Sequence, residues 1–174
     1  MVKITGDKTM NLFPKLRQRD TEQNPIRIGM IGAGKFGSMF LAQANRLPGI
    51  HVIGIADLNP SNARSNLAYV GWAAEKYAAT SLNDAVKTGT SFVSDDWQAL
   101  VSHPAIDMII ECTGDPVAAV HHVITAFEQG KNVINATVEA DAFCGAGLNR
   151  AAIEAGVVYS MAYGDQPALT CELV

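Results

Sequence analysis

The stretch Ile26-Arg27-Ile28-Gly29-Met30-Ile31-Gly32-Ala33-Gly34-Lys35-Phe36-Gly37 decides how the rest of the chain is read. Its first half is a short, apolar, β-branched run that stops at a glycine cluster, the pattern of a strand buried on both faces. Its second half is G-x-G-x-x-G. That spacing alone is a weak signal, because glycine-rich turns are common. Here a strand enters it, a helix-patterned segment leaves it, and an acid ends the next apolar run. Gly32 permits the tight turn from strand to helix. Gly34 has no side chain, so a pyrophosphate can approach the backbone, and Gly37 lets the helix pack close to the strand. The helix N-terminus adds unpaired N–H groups and the positive end of its dipole. The six residues Gly32, Ala33, Gly34, Lys35, Phe36 and Gly37 are therefore expected to bind a dinucleotide; the alternative is a tight βα turn with no ligand.

Alternation continues on both sides of this motif. Lys35–Arg46 carries Phe36, Met39 and Phe40 near helical period and is closed by Pro48-Gly49. His51–Ala56 reads as a second buried strand, and Pro60 to Tyr69 as a helix begun by proline. Residues 70–91 suggest a helix-rich excursion with loops. Phe92-Val93 reads as a short strand, Asp95–Ser102 as a short helix, and Ala105–Cys112 as a strand. Pro116–Gln129 reads as a helix with Gly130 after it. Strands are expected at Lys131–Asn135 and Val157–Met161, and a helix at Leu148–Ala155. Upstream, Leu12, Phe13 and Leu16 predict a short amphipathic helix over Met10–Arg19, with Pro14 tolerable only in its first turn. The expected architecture is α/β: a doubly wound, mostly parallel Rossmann-like sheet with helices on both faces. Residues 1–24 form an N-terminal extension, and 25–174 the dinucleotide-binding domain.

Composition narrows the function. The 174 residues are 48% apolar, enough for a core, and carry 13 Lys+Arg against 17 Asp+Glu. A net charge of −4 without a basic cluster argues against nucleic acid as a partner. No apolar run reaches membrane-spanning length, and the N-terminus lacks the apolar core of a signal peptide. Cys112, Cys144 and Cys171 have no metal-type spacing and read as reduced thiols of a cytoplasmic protein.

Further candidates stand at strand ends, where ligands of open α/β sheets bind. Asp57 ends the second strand, 20 residues after Gly37. A carboxylate there accepts from an adenosine ribose and repels a 2′-phosphate, which favours NAD over NADP. Arg64 follows closely, and an arginine in this loop could offset that repulsion; the lesser alternative for Asp57 is a helix-capping or turn acid in Asp57-Leu58-Asn59-Pro60. Thr113 and Gly114 are placed to meet the nicotinamide half through backbone and hydroxyl, or are simply a strand end before a capped helix. Glu139, after the next strand, is either a contact to substrate or cofactor ribose or a solvated loop acid. His121-His122 is not read as a metal pair, since adjacent helical residues do not share a face. No metal ligand set and no catalytic residue can be named from the residues alone.

Taken together, PIRIGMIGAGKFG, AIDMIIECTGDP, GKNVINATVEAD and GVVYSMAYGDQPALTCELV resemble the N-terminal part of the 1-deoxy-D-xylulose 5-phosphate reductoisomerase-like oxidoreductases. These are grouped with homoserine dehydrogenase-like proteins bearing a C-terminal SAF domain. The resemblance spans about residues 10–174; the VEAD and GDQP segments are its more specific parts. It implies an NAD(P)-dependent oxidoreductase of isoprenoid biosynthesis or a related path, homo-oligomeric in full length, with a divalent metal supplied there. It also implies a chain truncated before its catalytic domain, inside a helix opened by Asp165-Gln166-Pro167, that binds cofactor without turning over substrate. Homoserine and sugar dehydrogenases of the superfamily carry a lysine after the fifth strand, in N-K-A or E-K-P. Here Ala136-Thr137-Val138 stands in that place, so neither lysine carries over.

The resulting expectation is a cofactor domain acting with a small polar, in some members phosphorylated, carbonyl or alcohol substrate. A stand-alone NAD(H)-sensing regulatory module is the alternative. A methyltransferase is disfavoured by the third glycine, Gly37.

Overall fold

Six short apolar runs become strands, and every pair is parallel. The computed structural model describes residues 12–162. Its strands are β1 (Ile26–Ile31), β2 (Ile50–Ala56), β3 (Phe92–Ser94), β4 (Met108–Glu111), β5 (Asn132–Asn135) and β6 (Tyr159–Met161). Its helices are α1 (Phe13–Thr21), α2 (Lys35–Ala44), α3 (Pro60–Tyr69), α4 (Leu82–Thr88), α5 (Trp97–Ser102), α6 (Pro116–Glu128) and α7 (Val138–Ala155). A 3-10 turn, Ala74–Tyr77, precedes α4. No helix among the described residues is long and apolar enough to cross a membrane.

The strand order β3-β2-β1-β4-β5-β6 is the doubly wound Rossmann order. Because successive side chains point to opposite faces, each central strand feeds two cores. Met30 and Ile55 pack with Leu41 of α2 and Leu67 of α3 on one side. Ile53 and Ile109 pack with Leu100 of α5, Val123 of α6 and Leu148 of α7 on the other. The winding therefore reverses between β1 and β4, and a crevice opens outside the carboxyl ends of the strands at that point.

Local signals set the helix starts. Asn59 accepts from the N–H of Asn62 and Pro60 fills the first turn of α3. Asp96 caps α5, and Asp115 accepts from Val117 and Ala118 to cap α6. Gly130, at φ +66°, follows α6 as its spacing predicts.

Three expectations are corrected. The helix read as Leu148–Ala155 begins ten residues earlier, at Val138. Gly145 and Gly147 disguise it, since each weakens a helix by about 1 kcal/mol relative to alanine. At Gly145 a Cβ would stand 2.9 Å from the Asp141 carboxylate, which would have to shift. The N-terminal helix begins at Phe13, with Pro14 in its first turn, but buries no residue; Leu12 and Phe13 remain exposed. It meets the body at Gly49 instead, where the absent Cβ leaves room for the Leu16 carbonyl and the N–H donates to Asp20 Oδ1 at 3.4 Å. Strands β4, β5 and β6 are shorter than the apolar runs that announced them. Cys171 and the segment around Asp165 lie outside the described residues, as does Met10.

Gly54 of β2 makes room for two helices at once. A Cβ there would meet Leu100 Cδ1 at 2.4 Å and Leu82 Cδ2 at 2.6 Å, and both leucines are buried. Gly54→Val is therefore expected to destabilise the fold by about 1–3 kcal/mol through overpacking. The check is a lower urea midpoint at unchanged m-value; an unmoved midpoint would mean that α4 and α5 yield freely.

Burial also holds His51 and His103 below the ordinary histidine value of 6.5, despite the bond between His51 Nε2 and the Thr90 carbonyl at 2.7 Å. Below about pH 6.5 the unfolded chain thus binds more protons than the folded one, so stability falls as pH is lowered through that window. The urea midpoint is expected to drop between about pH 7.5 and pH 5.5, and to drop less in His51→Gln. An equal drop in that variant would remove His51 from the account.

Candidate cofactor site

A cavity of about 460 Å³ occupies the crevice at the winding reversal. Its floor is the carboxyl ends of three strands: Ile31-Gly32 after β1, Ala56-Asp57-Leu58 after β2, and Cys112-Thr113 after β4. Gly34 stands at the mouth of α2. Trp97, His121 and His122, with Asp95, Asp115 and Ala118, form the wall given by α5 and α6.

The three motif glycines do different work. Gly32 has φ +93°, and a Cβ on it would lie 2.7 Å from the Cys112 carbonyl oxygen. It permits the turn and lets β4 run close. Gly37 sits against Met30 and the Gly32 carbonyl, where a Cβ would be 2.4 and 2.7 Å away. Gly34 is the reverse case: a Cβ would meet nothing within 4 Å. No side chain caps α2, so the first-turn N–H groups are left to a ligand. This is the open cradle that a pyrophosphate requires.

Ala33, between the glycines, is buried and locked. Its N–H donates to Asp57 Oδ2 at 2.8 Å, and its carbonyl accepts from Asn66 Nδ2 at 2.8 Å. Asp57 Oδ1 accepts from the N–H of Asn59, so each oxygen of this carboxylate keeps a lone pair for a further donor. Arg64 turns out not to serve the cavity. Its guanidinium donates to the carbonyls of Tyr77 (3.0 Å) and Val93 (3.2 Å), tying α3 to β3. The reading in which Arg64 offsets the repulsion of Asp57 is corrected: the guanidinium is committed to two carbonyls and does not line the cavity.

Of the sequence candidates, Gly32, Gly34, Asp57 and Thr113 line the cavity. Ala33 and Gly37 lie beneath it, while Lys35 and Phe36 are exposed on the first turn of α2. Gly114 flanks it at φ +76°, with its N–H already given to Thr137 Oγ1 at 3.0 Å. The hydroxyl of Thr113 is likewise engaged, donating to Glu111 Oε1 at 2.5 Å. A contact from that hydroxyl proton to a nicotinamide is thereby corrected; the backbone carbonyl is what the turn leaves. Glu139 is not in a loop. It is an exposed residue in the first turn of α7, away from the cavity, because the helix starts at Val138.

The sequence did not disclose the aromatic wall or Glu111. Trp97 packs edge-on to His122 with ring centroids 4.5 Å apart, and His122 Nδ1 donates to Glu111 Oε1 at 3.3 Å. The pair His121-His122, set aside as a metal site, thus has a place in the cavity wall. Among the described residues no group of three His, Cys, Asp or Glu comes together as a metal ligand set. Cys112 is buried under the glycine turn, its thiol donating to the Gly32 carbonyl at 2.9 Å, and burial pushes its pKa well up. It is an inert packing thiol.

A family profile described as an oxidoreductase family with an NAD-binding Rossmann fold, GFO/IDH/MocA, matches residues 26–135, more than half of the chain. The chain belongs to this oxidoreductase family. No curated protein shows significant similarity to it. Among solved structures, a homoserine dehydrogenase from Thiobacillus denitrificans superposes with a TM-score of 0.62 at 22% identity, over 79% of this chain and 29% of that one. An NAD-binding oxidoreductase from Klebsiella pneumoniae gives 0.58 at 21%, over 86% and 38%. A biliverdin reductase from Synechocystis, solved with biliverdin and NADP+, gives 0.52 at 18%, over 80% and 38%. These likenesses establish the fold. The chain spans about a third of the length of those solved chains.

Proposed function

We propose that this chain is the NAD(H)-binding part of an oxidoreductase that acts on a carbonyl or alcohol of a small polar metabolite, phosphorylated metabolites included. The observation that carries the cofactor reading is the open space at Gly34, where a Cβ would meet nothing within 4 Å, set at an uncapped helix N-terminus beside a strand-end carboxylate. The first turn of α2 receives the pyrophosphate. Asp57 accepts from the adenosine ribose, and Trp97, half-buried in the cavity wall, offers an aromatic surface to the base. The Thr113-Gly114 turn stands by the nicotinamide. When bound, the dinucleotide supplies hydride chemistry, and the protein orients it.

Commitment of Arg64 to two carbonyls supports NAD(H) over NADP(H), because it leaves Asp57 without that counter-charge. The substrate class rests on the resemblance to reductoisomerase-like and homoserine dehydrogenase-like enzymes. The missing lysine at Ala136-Thr137-Val138 separates the chain from members that use one.

Gly34→Val tests the cradle. A Cβ at this position meets nothing within 4 Å, so the fold is expected to survive. Dinucleotide affinity should fall at least about tenfold, or about 1.4 kcal/mol. Calorimetric titration of the folded variant is the measurement; unchanged affinity would remove the cofactor from this turn.

Asp57 tests the cofactor choice. NADH is expected to bind more tightly than NADPH, and Asp57→Ala to shrink or invert that ratio. Loss of the bond to Ala33 also weakens both cofactors, which is why the ratio is the quantity to read. Tighter binding of NADPH by the unaltered chain would overturn the assignment.

A further inference from the structure

Glu111 is the last residue of β4 and has no solvent exposure, yet it is a carboxylate. Such a group is tolerated only when its lone pairs are filled. The donors come from three separate places. Thr113, two residues on, gives its N–H (3.2 Å) and hydroxyl (2.5 Å) to Oε1. His122 of α6 gives Nδ1 to the same oxygen. Thr137, after β5, gives its hydroxyl to Oε2 in a short bond. The Thr137 hydroxyl then accepts from the N–H of Gly114.

Thr137 is the N-cap residue of α7, where threonine ordinarily turns its oxygen onto the helix's own N–H groups. Here its side chain makes no such bond. The hydroxyl is diverted sideways and bridges the β4 and β5 strand ends. Thr137 is itself buried, and its N–H is held by Asn135 Oδ1 at 3.0 Å. The bridge is thus anchored at the end of β5, and it reaches the β4 turn through the Gly114 N–H.

We infer that Glu111 and Thr137 are positioning residues for the nicotinamide half of the dinucleotide. They fix the Thr113-Gly114 turn, and they do so without touching the cofactor. This rests on the cofactor reading above and adds a division of labour to it. The adenosine ribose is met by Asp57 at the end of β2, across β1 from the β4 turn that Thr137 holds. Removing the Thr137 hydroxyl frees the Gly114 N–H and leaves Glu111 Oε2 short of a donor, so the turn loosens while the glycine cradle stays intact.

The experiment compares NAD+ with ADP-ribose, which lacks the nicotinamide, by calorimetric titration of the 174-residue chain and its variants. For Thr137→Val, NAD+ affinity is expected to fall about tenfold, while ADP-ribose affinity stays within about twofold. Thr137→Ser keeps the hydroxyl and should bind both as the unaltered chain does. Thr137→Ala deletes the same hydroxyl with less bulk and takes the place of Thr137→Val if that variant does not fold. Equal losses for both ligands would show a general structural role and overturn the inference, as would no loss for either. Failure of the unaltered chain to bind either ligand would overturn the cofactor reading itself, and this inference with it.

Discussion

A carboxylate sealed inside a sheet dictates its surroundings. Glu111 lies between β1 and β5, paired in register with Ile31 and Asn135, with no access to water. An isolated ion there would be prohibitively unfavourable, and even a paired one is stable only if each oxygen is well hydrogen-bonded. The donors that meet this demand are drawn from the β4 turn, α6 and the β5 turn, so one side chain sets the relative position of all three. Neither β4 nor β5 exceeds four residues, and their own ladders say little about where the chain goes next. The carboxylate does that, at the edge where a ligand must be met.

At the other end of the crevice the same economy recurs with backbone groups. Ala33 carries the only side chain between Gly32 and Gly34, and both of its polar backbone groups are held, one by Asp57 and one by Asn66. The turn is therefore rigid before any ligand arrives. Affinity in such a site comes from groups that do not need to be ordered on binding. Asp57 has two tasks, shaping the turn and offering free lone pairs beside it. Asn66 has one, and Arg64, one helical turn or less away, has been drawn off to the carbonyls of Tyr77 and Val93.

The sheet was legible in the sequence because β1, β2 and β4 are mostly apolar, β-branched runs, the first stopping at a glycine cluster and the second at Asp57. The run IRIGMIGAGKFG alone set the first strand, the turn and the second helix. Asp57 was legible for the same reason, as the acid after HVIGIA. The start of α7 was not, because two glycines in the helix interior outweigh its pattern until Asp141 is seen to need the space and to accept from the Tyr159 hydroxyl at 3.0 Å. Glu111 read as one more strand residue in AIDMIIEC. Its partners stand 2, 11 and 26 positions away, and only the folded sheet closes those distances. Arg64 shows the opposite error. Its place in the chain suggested the cavity, while the phase of α3 turned it elsewhere.

One consequence concerns protons. Along the carboxyl edge of β4, β5 and β6 the hydroxyls are spent inside the fold: Thr113 and Thr137 donate to Glu111, and Tyr159 donates to Asp141 while accepting from Asn135. Burial and the neighbouring Asp141 and Glu111 charges raise the Tyr159 pKa far above the ordinary phenol value, so it holds its proton at neutral pH. The Cys112 thiol is held the same way under the glycine turn. A general acid or base must instead keep an uncommitted site within hydrogen-bond reach of the reacting atom. In the described residues the hydroxyls of Thr113, Thr137 and Tyr159 at that edge are committed to the fold itself. The cavity lining keeps titratable side chains elsewhere: Asp57 at the end of β2, Asp95 before α5, and His121 and His122 on the α6 wall.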